Sequence, residues 1–182
     1  MIRNIAVVMI VILASFKLSA QNEEVGEWSE NVNGIQGRLI AARGTDFNGA
    51  HMLNVYLELR NVSMRSWDIY FDVDKSIKSK VVDEANSAVS RYDESASIMA
   101  GTPPWLVLPF DSILRFRISV SGYGVPKNGG TNVQMMDANW LLKLSDGREC
   151  FFKARFISKP KPDAVHHEWE GEMELPKVLI PQ

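Results

Sequence analysis

The sequence predicts an all-β fold, an antiparallel sandwich of about seven to nine strands. Three observations predict it. Short runs alternate apolar and polar residues with period two, which sends one set of side chains inward and the other to solvent. Clusters of Gly, Pro, Asn and Asp separate the runs at Gly44–Gly49, Gly101–Pro104, Gly122–Gly130 and Lys159–Asp163. No run of strong helical period lies between them, which excludes alternating β and α units.

The elements follow in order. Ile35–Arg43 reads as the first strand. In His51–Val62, Leu53, Val55, Leu57 and Leu59 share one face, opposite Asn54, Tyr56, Glu58 and Arg60. Trp67, Ile69, Phe71 and Val73 repeat the pattern, with Asp68, Tyr70, Asp72 and Asp74 outward. For Lys78–Tyr92 a hairpin turning at Asn86-Ser87 is preferred over a helix built on Val81, Val82, Ala85, Ala88, Val89 and Tyr92. Leu114, Phe116, Ile118 and Val120 face inward against Arg115, Arg117 and Ser119. Trp140, Leu142 and Leu144 precede Cys150, Phe152, Ala154 and Phe156; Asp146-Gly147 between them is a dipeptide that favours the positive φ of a hairpin turn. The last run sets Trp169, Gly171, Met173 and Leu175 against Glu168, Glu170, Glu172 and Glu174.

Ahead of these runs, Met1–Ala20 has the layout of a secretory signal peptide: Arg3, an apolar stretch from Ile5 to Phe16, then Ser19 and Ala20 before polar QNEE. Lys17 interrupts the stretch short of the roughly 20 apolar residues that a spanning helix needs. An uncleaved anchor is the alternative, because Leu18 stands where a small residue usually precedes the cut. Residues 21–27 read as a polar lead-in and 28–182 as one sandwich domain, secreted or periplasmic. No later segment could span a membrane, since charge breaks every apolar stretch.

Removing Arg3 and Lys17 with the leader takes the net charge from −2 to −4. Nucleic acid is therefore an unsuitable partner, since phosphates demand a concentrated basic surface. With 46% hydrophobic residues and one cysteine, the chain is neither disordered nor a disulfide scaffold.

Four segments carry a resemblance: LELRNVS (57–63), VVDEANSAVSRY (81–92), PPWLVLPFDSILRFRIS (103–119) and WEGEMELPKVLIP (169–181). Together they resemble immunoglobulin-like, fibronectin-III-like sandwich domains of secreted bacterial proteins. WSENVNGIQGRL (28–39) is similar to the start of such modules attached to sensor metallopeptidases. The resemblance implies a fold and an extracytoplasmic setting. It carries no catalytic residue.

Motifs for chemistry lead back to structure. His166-His167-Glu168 with Asp163 suggests a metal cluster, yet neighbours on a strand point to opposite faces. Asp68, Asp72 and Asp74 lack the spacing of a calcium loop, and Asp46 stands apart. Cys150 falls in the inward register with Phe152 and Phe156, which favours a buried, inert thiol. Asn61-Val62-Ser63 fits a glycosylation acceptor only in a eukaryotic host. Neither a catalytic residue nor a cofactor or metal is expected.

Two surface features hold functional weight. Glu168, Glu170, Glu172 and Glu174 form a row of like charge, either a docking stripe for a basic partner or one half of cross-strand pairs with Lys153 and Arg155. Trp105 and Tyr123, read as loop residues at one end of the sandwich, could bind a sugar or a protein, or pack into the core. The expected function is a non-catalytic module with a binding or structural role at the cell envelope, contacting a protein partner. The alternative is a carbohydrate-binding accessory domain using its loop aromatics.

Overall fold

A computed structural model describes residues 23–45, 51–72, 75–89, 105–119, 131–135, 137–142, 149–159 and 168–181. The leader, Asp46, Asp74, Tyr123, Asp146-Gly147, Asp163 and His166-His167 lie outside them. Twelve strands and no helix occur among the described residues: β1 Glu23–Val25, β2 Ile35–Thr45, β3 His51–Asn61, β4 Trp67–Tyr70, β5 Ile77–Asp83, β6 Trp105–Leu108, β7 Ile113–Arg117, β8 Thr131–Gln134, β9 Asn139–Leu142, β10 Cys150–Ser158, β11 Glu168–Trp169 and β12 Gly171–Leu179. The excess over the expected number comes from short strands that alternation alone does not mark.

One sheet has the order β1-β2-β3-β7, built on the hairpin that pairs Ile35 with Asn61 and Thr45 with His51. Across the core lie β12-β10-β5 and β11-β4-β6, while β8 and β9 form a ribbon. The pairs are antiparallel except β11 with β4, which run parallel over Glu168↔Asp68 and Trp169↔Ile69. The chain crosses between the two smaller sheets at Glu170, so the last expected run is divided between them.

Period-two burial follows the apolar spacing closely. Leu53, Val55, Leu57, Leu59, Trp67, Ile69, Phe71, Phe152, Ala154, Phe156, Trp169, Met173 and Leu175 are all buried. Aromatic rings join the layers: Phe116 of β7 meets Phe71 edge-on at 5.1 Å, Phe71 stacks with Phe156 at 6.4 Å, and Phe156 with Trp169 at 5.8 Å. Such pairs add about 0.5–1.5 kcal/mol each beyond their burial.

Several expectations change. Glu23–Val25, in the segment read as a lead-in, pairs with Ile40–Ala42 as an edge strand. Ser119, expected outward, is buried: Ile118 and Ser119 both donate their N–H to Val55 O, so two residues oppose one and the alternation slips. The hairpin expected across Asp146-Gly147 does not pair β9 with β10 in the described range. Both edges of β10 are taken, by β12 and β5, and β9 pairs with β8. The Lys78–Tyr92 ambiguity resolves as a chain reversal up to Val89, with Asn86 at φ 61° and Val82 bridging Ala88. Cys150 lies on the Phe152 side of β10 and is half-buried against the core.

Candidate functional site

The candidate site grows from one end of the β2–β3 hairpin. Asn33 and Gly34 both have positive φ, 51° and 87°, and Val32 and Ile35 exchange backbone hydrogen bonds around them. Two left-handed residues in a two-residue loop match the right-handed twist of the flanking strands, and Asn-Gly is the dipeptide that tolerates this. Gly34 N donates to Asn31 Oδ1 at 2.8 Å. The turn is also tied to the sheet crossing, since Asn33 Nδ2 donates to Glu170 O at 2.8 Å and Trp169 Nε1 to Val32 O at 3.0 Å.

Beside the turn runs the loop from β3 to β4, and its organiser is Asn61. The residue is 1% exposed, and its side-chain amide donates into the carbonyls of Arg65 (2.7 Å), Pro109 (3.0 Å) and Leu108 (3.1 Å). Its Oδ1 accepts from Ser63 N at 2.9 Å and Ser63 Oγ at 2.7 Å. Ser63 Oγ in turn accepts from Trp67 Nε1 at 3.0 Å. Asn-x-Ser at 61–63 therefore does structural work, stitching the 62–66 loop to the end of β6 and to the loop that follows it through part-buried and buried hydrogen bonds. The hydroxyl is engaged on both sides, which suits a strut and not a nucleophile.

Between these parts opens a cleft of about 600 Å³, lined by Asn33, Gly34, Ser63, Arg65, Trp67, Glu168 and Glu170. The Arg65 guanidinium lies 3.7 Å from the centroid of the Trp67 ring, a cation–π contact. Glu168 is half-buried, yet its two carboxylate oxygens each have under 1 Å² of accessible surface and no hydrogen-bond partner among the described residues. Buried polar groups are ordinarily satisfied, because an unmet carboxylate forfeits its hydration.

The sequence-marked glutamates thus separate. Glu168 and Glu170 both line the cleft, the first half-buried with its carboxylate oxygens shielded from solvent and the second exposed. Glu172 and Glu174 lie on β12 opposite β10, where Arg155 contacts Glu172 at 2.6 Å and Glu174 at 3.1 Å, and Lys153 reaches Glu174 at 4.0 Å. The hydrogen bond to Glu172 is the main cause that raises the Arg155 guanidinium above its ordinary range. For that half of the row the cross-strand reading is the one the contacts support.

Trp105 is a strand residue and not a loop one: it opens β6, is half-buried, and meets Tyr70 edge-on at 5.2 Å. It pairs with Tyr70, whereas Trp67 at the other end of β4 pairs with Leu108, so Trp105 lies away from the cleft. Asp72 pairs with Lys75 at 3.2 Å. Among the described residues no three His, Cys, Asp or Glu side chains gather around a point that could hold a metal ion.

Sequence reading missed Asn33, Gly34 and Arg65, and marked Ser63 only as part of a glycosylation acceptor. The Asn-Gly dipeptide was the available signal, the strongest short-range mark of a tight hairpin. Arg65 carries no comparable mark. The 62–66 and 109–112 loops and the start of β7 also expose apolar side chains: Met64 is 91% exposed, Phe110 54%, Val62 43% and Ile113 56%. Comparison with protein families, curated proteins and solved structures returns no match to this chain.

Proposed function

We propose that the protein is an exported, non-catalytic sandwich of immunoglobulin-like type that contacts a protein partner at the cell envelope. One observation carries this reading. Loops 62–66 and 109–112, locked together through Asn61, present Val62, Met64 and Phe110 to solvent, with Ile113 at the start of β7 exposed next to them, beside a polar cleft. Apolar side chains bordered by polar ones are the make-up of a protein-binding surface. A rigid strut beneath them lowers the cost of ordering loops on binding. The layout of Met1–Ala20 supports export, with the mature chain starting at Gln21.

The test is a photo-crosslinking residue placed at Met64 or Phe110 in cells expressing the full chain, with Lys78 as a distant control. A discrete protein adduct is expected from 64 and 110, absent from 78, and lost when Asp replaces the neighbouring apolar side chain. Adducts of equal yield at all three positions would overturn the reading. Glycan binding abolished by Trp105→Ala would instead support the carbohydrate-binding alternative.

A further inference from the structure

The outward face of the sheet β12-β10-β5 sets like charges side by side. Lys80 of β5 stands directly opposite Lys153 of β10, and Lys78 directly opposite Arg155. On its other edge Lys153 meets the bulge of β12, between the pairs Phe152↔Val178 and Ala154↔Leu175, where Lys177 lies. Three lysines, Lys80, Lys153 and Lys177, therefore form a row across three adjacent strands. With strands about 4.8 Å apart, the row spans about 10 Å. Lys80 and Lys177 are exposed, and the Lys153 side chain is 35% exposed. Like charges directly opposite one another destabilise a sheet.

The neighbouring carboxylates do not relieve this conflict. Glu172 and Glu174 are held by Arg155, and Lys153 comes no nearer to Glu174 than 4.0 Å. Glu84 and Glu149 lie past Val82 and Phe151, at one end of the sheet. Lys177 covers the Phe151 ring at 4.2 Å, and Lys80 has no ion pair among the described residues. The chain as a whole carries −2, so the concentration of positive charge is local. A local rule of sheet pairing broken without a compensating partner is the mark of a surface kept for binding.

We propose that this face binds an acidic polysaccharide, a chain of carboxylate-bearing sugars. Ammonium groups are compact point charges that accept carboxylates in many orientations, and the arginine of the face is already held by two glutamates. Its apolar side chains are withdrawn: Phe151, Ile157 and Leu179 are half-buried and Val82 is buried. The face therefore offers no anchor to a protein partner and no wedge to a lipid bilayer. A hydrophilic chain with a charge on every sugar needs neither, and meets a row of cations along its length. This surface lies on a different sheet from loops 62–66 and 109–112 and goes beyond the partner reading. The choice of a polysaccharide rests on the export part of that reading.

Calorimetry and amide NMR on the purified protein test this with an oligogalacturonate, a poly-glutamate peptide and a single-stranded oligo-dT of similar length, and with phosphatidylglycerol vesicles. The oligogalacturonate is expected to shift amides at 78–82, 151–155 and 177–179, to bind about tenfold or more tightly than the other two polymers, and to weaken as salt rises. Lys80→Glu should lose that binding while its melting temperature rises, because the new carboxylate stands opposite Lys153. Lys177→Gln, at the other end of the row, should also weaken binding. Equal affinity for the three polyanions overturns the proposal, since that marks counter-ion exchange alone. Preference for the vesicles overturns it in favour of a membrane surface. A lower melting temperature in Lys80→Glu with binding intact overturns it too, because the lysines then serve the fold. Purified protein is used throughout, so these outcomes are independent of export and of the Met64 crosslink.

Discussion

Gly34 joins two demands at one position. Its φ of +87° lies where side-chain-bearing residues are strained, and a Cβ there would come within 2.5 Å of Ser63 Cβ. Gly34→Ala should therefore destabilise the fold by about 2 kcal/mol, measured by chemical denaturation. The disturbance should be largest in the Trp67 fluorescence, because Ser63 holds the indole N–H. A cost below the error of the measurement would show that the turn relaxes freely and that Ser63 is no anchor. Asn61 and Ser63 illustrate the limits of reading single residues. Their spacing is visible in the chain, but five hydrogen bonds to segments up to 48 positions away define what they do.

At the scale of elements, charges are used in pairs across strands. Arg115 on β7 reaches Glu23 on β1 at 2.7 Å, lies 4.0 Å from Glu58, and covers the Tyr56 ring at 4.3 Å. Its guanidinium is raised above the ordinary arginine range, first by the hydrogen bond to Glu23, against a smaller opposing effect of burial. A base raised on folding contributes stability in full below its unfolded pKa and loses it only as pH climbs through the folded value. Across neutral pH this contact is therefore pH-independent, while salt weakens it. Arg115→Ala should cost about 1 kcal/mol and speed hydrogen exchange at Val25 and Gly26, since β1 loses a tether. Unchanged exchange there would mean that backbone pairing alone holds β1. Edges also explain why β9 does not pair with β10 among the described residues: a strand has two, and those of β10 are occupied by β12 and β5. Pro176 lies where β12 bulges, with Phe152 opposite Val178 and Ala154 opposite Leu175, a position that tolerates a missing N–H.

For the whole molecule, the aromatic chain Phe116–Phe71–Phe156–Trp169 connects sheets that share no backbone pairing. Phe156→Ala should cost about 3–5 kcal/mol, a large part of the total stability of an ordinary domain, and lower the denaturation midpoint without changing the spectrum of strand content. A loss under about 1 kcal/mol would mean that the layers close without that ring. The all-β class and the inward faces of β3, β4, β10 and β12 were determined by sequence, because the two-residue period of a strand is local and each apolar run declares its own face. Tertiary structure alone decided which edges pair, where alternation slips at Ser119, and that the acidic row divides at Glu170. It also brought Asn33, Ser63, Arg65 and Glu168 to one cleft. Those are choices among distant segments, made by shared edges, ring packing and buried hydrogen bonds, and no window of neighbouring residues contains them.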